Sequence, residues 1–154
     1  QMYDKEGAAD YPDYRKLSAD LLFKWNGFSL LAEYVNATAN GLNGLYVEKD
    51  EGAKLKPHQI ANYLALGNGF NVQAGYLFHK LWALDVAYSK VKPEWKETEQ
   101  SVLREADNIT FGASKYFNNN TFKLQLAGSY TSYNQLVGAG SKEFQVKLNL
   151  HILF

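Results

Sequence analysis

The chain has 154 residues and no cysteine, and its lysines and arginines equal its aspartates and glutamates at 16 each. These counts exclude a disulfide framework or a thiol nucleophile, and they remove the cationic excess that a nucleic-acid surface needs. At 46% hydrophobic residues the chain is too apolar for a disordered segment, yet it lacks the run of about 18 apolar residues expected of a membrane helix. The aromatic share is 15%, made of 11 Tyr, 9 Phe and 3 Trp. Such residues favour strands, and Tyr and Trp also favour places that are half apolar and half wet.

Residues 1–16 are polar, and Asp4, Lys5, Glu6, Asp10 and Asp13 make them a poor strand. Alternation of apolar and polar side chains then predicts strands over roughly 17–25 and 28–38. Asn26-Gly27 between them is a two-residue hairpin signal, since both residues tolerate positive φ. A long polar stretch, 39–68, follows. Phe70, Val72, Ala74 and Tyr76 alternate with Asn71, Gln73 and Gly75, and Trp82, Leu84, Val86 and Tyr88 alternate with Ala83, Asp85 and Ala87. His79-Lys80 links these two strands. After a second long stretch, 92–107, a strand over 108–117 leads through Asn118–Asn120 into Phe122, Leu124, Leu126, Gly128 and Tyr130, which alternate with polar or small residues. A third stretch, 134–142, precedes the clearest signal: Phe144, Val146, Leu148, Leu150, Ile152 and Phe154 against Gln145, Lys147, Asn149 and His151. Seven strands result, each about as long as the 9 to 11 residues that cross a bilayer at a tilt.

Short and long connections alternate strictly, so an antiparallel meander puts every tight turn at one end and every long stretch at the other. A soluble up-and-down barrel would show the same period with its apolar set turned inward. Three features favour the opposite arrangement. Outer-membrane barrels have short periplasmic turns and long external loops. Aromatics gather at strand ends, at Trp25, Phe28, Tyr34, Phe78, Trp82, Tyr88, Phe117, Phe122, Tyr130 and Phe154, as in two interfacial girdles. The other face carries Asn, Gln, Ser and Lys along whole strands, which suits a wet lumen. The fold expected is therefore an all-β transmembrane antiparallel barrel. Hydrocarbon offers backbone groups no partner, so its sheet must close. The first and last strands both run toward the tight-turn end, and seven strands would close only through a parallel pair. The expectation is that residues 1–154 form the C-terminal part of one larger barrel, with external loops near 1–16, 39–68, 92–107 and 134–142.

The terminal strand, with aromatic or aliphatic side chains at every second place from Phe144 to Phe154, resembles the C-terminal signal that the barrel assembly machinery reads in outer-membrane proteins. Gly27-Phe28-Ser29-Leu30-Leu31-Ala32-Glu33-Tyr34, Phe70-Asn71-Val72-Gln73-Ala74-Gly75-Tyr76, and Thr110-Phe111-Gly112-Ala113-Ser114-Lys115-Tyr116-Phe117-Asn118 with Phe122-Lys123-Leu124-Gln125-Leu126 are similar in order and spacing to the closing half of the phosphate-selective porin O and P family. The resemblance implies a 16-stranded homotrimeric channel in a Gram-negative outer membrane, in contact with lipid and lipopolysaccharide. It would pass ions and small hydrophilic solutes, anions among them, by passive diffusion. There are two departures: members of the family often carry an acid and an arginine on the lumen face of the strand that here has Ala83 and Ala87, and the arginine ladder of the phosphate-specific members has no counterpart, since Arg15 and Arg104 are expected in loops.

The alternation turns Asp20, Lys24, Glu33, Asp85, Lys123, Lys147 and His151 toward the lumen, where wall charge biases ion entry. Three acids and three lysines nearly cancel, so a weak and broad selectivity is expected. His58, His79 and His151 share no ligand spacing, and no nucleophile and base pair by spacing; neither a metal, a cofactor nor an enzyme activity is expected. Two other classes fit the same pattern. One is a barrel that anchors a surface complex through the loop around Gly41–Pro57. The other is a soluble barrel holding an apolar ligand.

Overall fold

The computed structural model describes residues 2–41, 44–46, 63–79, 81–94, 103–117, 122–134 and 141–152. These residues form strands, turns and bends, with no helix among them. Two short strands, β1 (Met2–Tyr3) and β2 (Ala9–Asp10), pair with each other. The remaining elements are β3 (Asp13–Trp25), β4 (Phe28–Asn40), β5 (Gly67–Phe78), β6 (Trp82–Pro93), β7 (Ala106–Phe117), β8 (Phe122–Tyr133) and β9 (Lys142–Ile152). They make one 7-stranded antiparallel sheet in sequence order, β3 to β9. Among the described residues the sheet is open, with β3 and β9 paired on one side only.

The seven expected strands are all present, and several are longer than the alternation indicated. In β3 the pairing continues from Leu17 back to Asp13, with Lys16 opposite Ala37 and Asp13 opposite Asn40. Backbone hydrogen bonding does not require an apolar side chain, so a ladder can outrun the hydrophobic pattern that reveals it. Arg15, expected in a loop, accordingly lies in β3 opposite Thr38. Arg104 precedes β7.

The tight links follow from local chemistry. Asn26 and Gly27 have φ of 44° and 86°, and Trp25 pairs with Phe28 across them. This is the double positive φ of a type I′ turn, whose twist matches that of the strands it joins. A Cβ at Gly27 would sit 2.9 Å from the Leu77 carbonyl oxygen, and Leu77 N–H donates to Gly27 O at 2.8 Å. The link after β5 runs to Leu81, whose N–H donates to Phe78 O at 3.0 Å, with His79 at φ 48°. Lys80 and the link at Asn118–Asn120 lie outside the described residues, as do His58, nearly all of the Gly41–Pro57 loop, and Phe154.

A small apolar cluster sits at the end of the sheet that carries the long connections. Ala39, Leu45 and Leu66 are buried together, with Met2 and Leu64 against them. Tyr3 and Tyr46 hold this contact by two backbone hydrogen bonds, of 3.0 and 2.8 Å. The polar 1–16 stretch thus contains a hairpin, because Asp4, Lys5 and Glu6 occupy its connection, where Ala8 N–H donates to Asp4 Oδ1 at 2.7 Å, and leave Met2 free to pack. Gly67, at φ 149°, starts β5 where its Cα passes Lys92; a Cβ there would run into the Lys92 carbonyl oxygen.

The register sorts every strand residue onto one of two faces. On one face run Leu21, Ala32, Val72, Tyr88, Ile109, Tyr130 and Phe144, and, one row on, Phe23, Leu30, Ala74, Val86, Phe111, Gly128 and Val146. On the other run Asp20, Glu33, Asn71, Ser89, Asn108, Thr131 and Glu143. The edge strands β3 and β9 are exposed on both faces, whereas along β5 to β8 exposure follows the apolar face. Phe111 is 61% exposed, Leu84 53% and Leu126 52%, whereas Ala37, Ala39, Ala83 and Ser114 on the polar face are buried. Side chains converge on the inside of a curled sheet and splay on its outside, so this pattern is that of a sheet curled toward its polar side.

Candidate functional site

The polar face carries all seven residues expected to line a lumen, Asp20, Lys24, Glu33, Asp85, Lys123, Lys147 and His151, and it arranges them in layers. Asp20 and Glu33 are directly opposite each other, in the row that ends at Glu143. Two residues further along each strand lies a row without charge, including Gln73, Thr110, Ser129 and Gln145, with Leu22 opposite Leu31 as its apolar exception. The next row reads Lys24, Ser29, Gly75, Asp85, Gly112, Ala127, Lys147. Nearest the tight turns, Tyr116, Lys123 and His151 stand side by side. Of the seven, Asp20 and Glu33 thus lie toward the long connections and Lys24, Lys123 and Lys147 toward the turns, the Asp20 and Lys24 layers being about 13 Å apart at 3.3 Å per residue; Lys16, opposite Ala37, places one further lysine at the long-connection end of this face. Counting charges along the chain misses this separation, because register decides it.

Asp85 departs from that layering, as an acid between two lysines of its row. Its flanks are cleared: Gly75 and Gly112 oppose it on either side, and Ala83 and Ala87 lie above and below it on β6. A Cβ at Gly75 would collide with Asp85 Oδ1 and come within 3.0 Å of Ser29 Oγ, so the carboxylate leans across Gly75 toward β4. Lys24, Ser29, Leu77, Ala83, Asp85 and Tyr116 line a depression of about 470 Å³ on this side of the sheet, near the turns. Elsewhere the face is cross-linked by side chains. Asn71 Nδ2 donates to Glu33 Oε2 at 2.9 Å, Asn108 Nδ2 to Thr131 Oγ1 at 2.7 Å, and Thr110 Oγ1 to Asn108 Oδ1 at 3.0 Å. No group of three or more His, Asp or Glu side chains gathers among the described residues as a metal would require.

The apolar face has its own order. Tyr34 and Phe70 pair in one row, and Tyr88, Tyr130 and Phe144 lie in the next, toward the long connections. Trp25, Phe28, Phe78, Trp82, Phe117 and Phe122 lie toward the turns. Rings touch within each belt, Phe70 with Tyr88 at 5.5 Å and Phe117 with Phe122 at 5.1 Å between centroids. All the end-of-strand aromatics expected from the sequence that are described lie on this one face. Phe70 and Phe144 join them; the signal for both was their cross-strand partners, which sequence alone does not reveal. Of the residues expected to form the assembly signal, Phe144, Val146, Leu148, Leu150 and Ile152 occupy the same face of β9 and are exposed.

Within the loop-side belt, charge returns to the apolar face: Lys90 and Asp107 continue the row of Tyr34 and Phe70. Asp107 Oδ1 accepts hydrogen bonds from Lys90 Nζ and from Tyr88 Oη, both at 2.7 Å. Thr38 Oγ1 donates to Glu94 Oε1 at 2.9 Å nearby. The apolar band between the belts is about 26 Å long measured along a strand and about 34 Å wide across the sheet, an area of about 900 Å². Compared with known protein families, curated proteins and solved structures, the chain matches none.

Proposed function

We propose that this chain forms part of the wall of an outer-membrane diffusion channel, with the apolar face toward lipid and the polar face toward a water-filled lumen. One observation carries the reading: along the inner strands β5 to β8 exposure is inverted, with large apolar side chains outside and most polar or small ones more sheltered. In water that arrangement is costly. A band of about 900 Å² exceeds the 300–600 Å² of a typical monomer's largest apolar patch. At about 25 cal/mol per Å² its exposure would forgo some 20 kcal/mol, more than the 5–15 kcal/mol by which a domain is stable. In a bilayer the cost vanishes, and the belts of Tyr, Trp and Phe at both margins sit at the two interfaces, as in outer-membrane barrels.

Membrane insertion also requires closure, since an open edge in hydrocarbon leaves a row of unpaired backbone groups. β3 and β9 point the same way, so an antiparallel closure calls for an odd number of further strands. Seven plus an odd number is even, the rule for bacterial barrels. A larger barrel also leaves room for water, which seven or eight strands do not. The resemblance of its strand segments to those of the phosphate-selective porin O and P family, which no family match accompanies, would imply a homotrimer in a Gram-negative outer membrane, inserted by the barrel assembly machinery and passing small hydrophilic solutes and ions. The decisive experiment is single-channel recording of the purified full-length protein in planar bilayers. Discrete ohmic steps are expected; stable insertion with no conductance would overturn the channel.

A further inference from the structure

The apolar face is not level. Ala74, Ala113 and Gly128 are short side chains set among Tyr76, Phe111 and Leu126, and they leave a groove of about 530 Å³. Its volume lies within the range of small-molecule sites, about 300–1,000 Å³. Gly75, Asp85 and Gly112 direct no side chain to this face and contribute backbone to the floor. One row nearer the turns stands Lys115, between Trp82 and Leu124 in register. Among the described residues it is the one charged side chain on the apolar face between the loop-side belt and the turns. Its Nζ lies 4.5 Å from the Trp82 ring centroid and 5.1 Å from that of Phe117. No described carboxylate forms an ion pair with it.

We infer that this groove and Lys115 together form a site for one anionic phospholipid, with an acyl chain along the groove and the phosphate on the Lys115 ammonium. The inference rests on the membrane reading above. Two separate features point to the same occupant. A carbon-lined groove on a lipid-facing surface fits a chain, and a lone ammonium at the level of an aromatic belt needs an anion at that depth. The two rings hold the ammonium by its attraction to their faces while its stem lies along apolar surface, so it is positioned before a lipid arrives. A phosphate oxygen supplies the charge-assisted partner that the belt itself lacks.

The test is native mass spectrometry of the full-length protein in detergent, titrated with dioleoyl phosphatidylglycerol and, as the zwitterionic control, dioleoyl phosphatidylcholine. The protein should retain phosphatidylglycerol about tenfold more tightly, because the phosphate of phosphatidylcholine is offset by its own choline cation and that lipid brings no net charge to the Lys115 ammonium. Lys115→Gln should abolish that preference, with Lys115→Arg restoring it. Gly128→Leu should weaken both lipids; a Cβ at Gly128 meets nothing within 4 Å, so the added side chain enters the groove without backbone strain. Equal binding of the two lipids, or an unchanged preference in Lys115→Gln, would overturn the site. Because Lys115 is on the outward face, conductance is the control that separates the two readings. Conducting protein without the lipid preference refutes the lipid site alone, whereas protein that fails to enter vesicles refutes the membrane assignment and the site together.

Discussion

Placing an arginine at Leu148 sets the two environments for the apolar face against each other. Leu148 is the middle residue of the run from Phe144 to Ile152 on β9, opposite Leu126, and is 69% exposed. If that surface meets water, the substitution is an ordinary surface change worth within about 0.5 kcal/mol either way. If it meets the bilayer midplane, an arginine costs about 2–4 kcal/mol. At 1.36 kcal/mol per factor of ten, the folding equilibrium shifts by roughly 30- to 900-fold. Asn149→Arg is the matched control, one residue along and on the opposite face. The assay is refolding of the full-length protein from urea into phospholipid vesicles, with the folded fraction read from the gel shift that resistance to SDS produces in unheated samples. Leu148→Arg should move the urea midpoint sharply downward while Asn149→Arg leaves it close to wild type. A Leu148→Arg protein that refolds as well as wild type, or that becomes soluble without detergent, refutes the lipid-facing assignment.

Asp85→Asn should shift the reversal potential in a salt gradient toward anions. A unit charge acting at about 7 Å through water is worth about 0.6 kcal/mol, so the permeability ratio should change by about threefold at most; no change would mean that the Asp85 carboxylate does not face the ion path. Gly67→Ala should lower the urea midpoint by the equivalent of about 1–3 kcal/mol, because its φ of 149° and the Lys92 carbonyl both oppose a Cβ; a wild-type midpoint would contradict the close approach. Asp107→Asn should cost less than about 1 kcal/mol in the same assay, since its partners Lys90 and Tyr88 remain accessible to water. A larger loss would show that the charged cluster within the loop-side belt is a structural anchor.

How far the sequence could be read depended on where period 2 was strong. From Phe144 onward every second residue is apolar, and β9 appears where the alternation placed it. Near residues 13–16 the alternation fails, since Asp13, Arg15 and Lys16 carry no apolar signal, and the start of β3 there comes from backbone pairing with Ala37–Asn40. The turn at Asn26-Gly27 was legible because its chemistry is local. The Met2, Leu45 and Leu66 cluster was not, because its members are far apart in the chain and only the folded loops bring them together. The same holds for the groove beside Lys115, whose short residues come from three different strands.

The sequence by itself determined the class of structure and the two faces. Strand period is a property of the backbone, so parity along each strand names the face of every side chain, and all seven charged or ionisable residues assigned to the polar face share it. Tertiary structure decided the vertical order of those residues. Whether an acid stands beside an acid or a lysine depends on how neighbouring strands slide past one another, and nothing within a single strand specifies that offset. Register set Asp20 opposite Glu33, put Asp85 between two glycines, and separated Asp20 and Glu33 from Lys24, Lys123 and Lys147 along the strand direction. It also turned scattered aromatics into two belts, because cross-strand pairing is what lines up residues that the chain holds far apart.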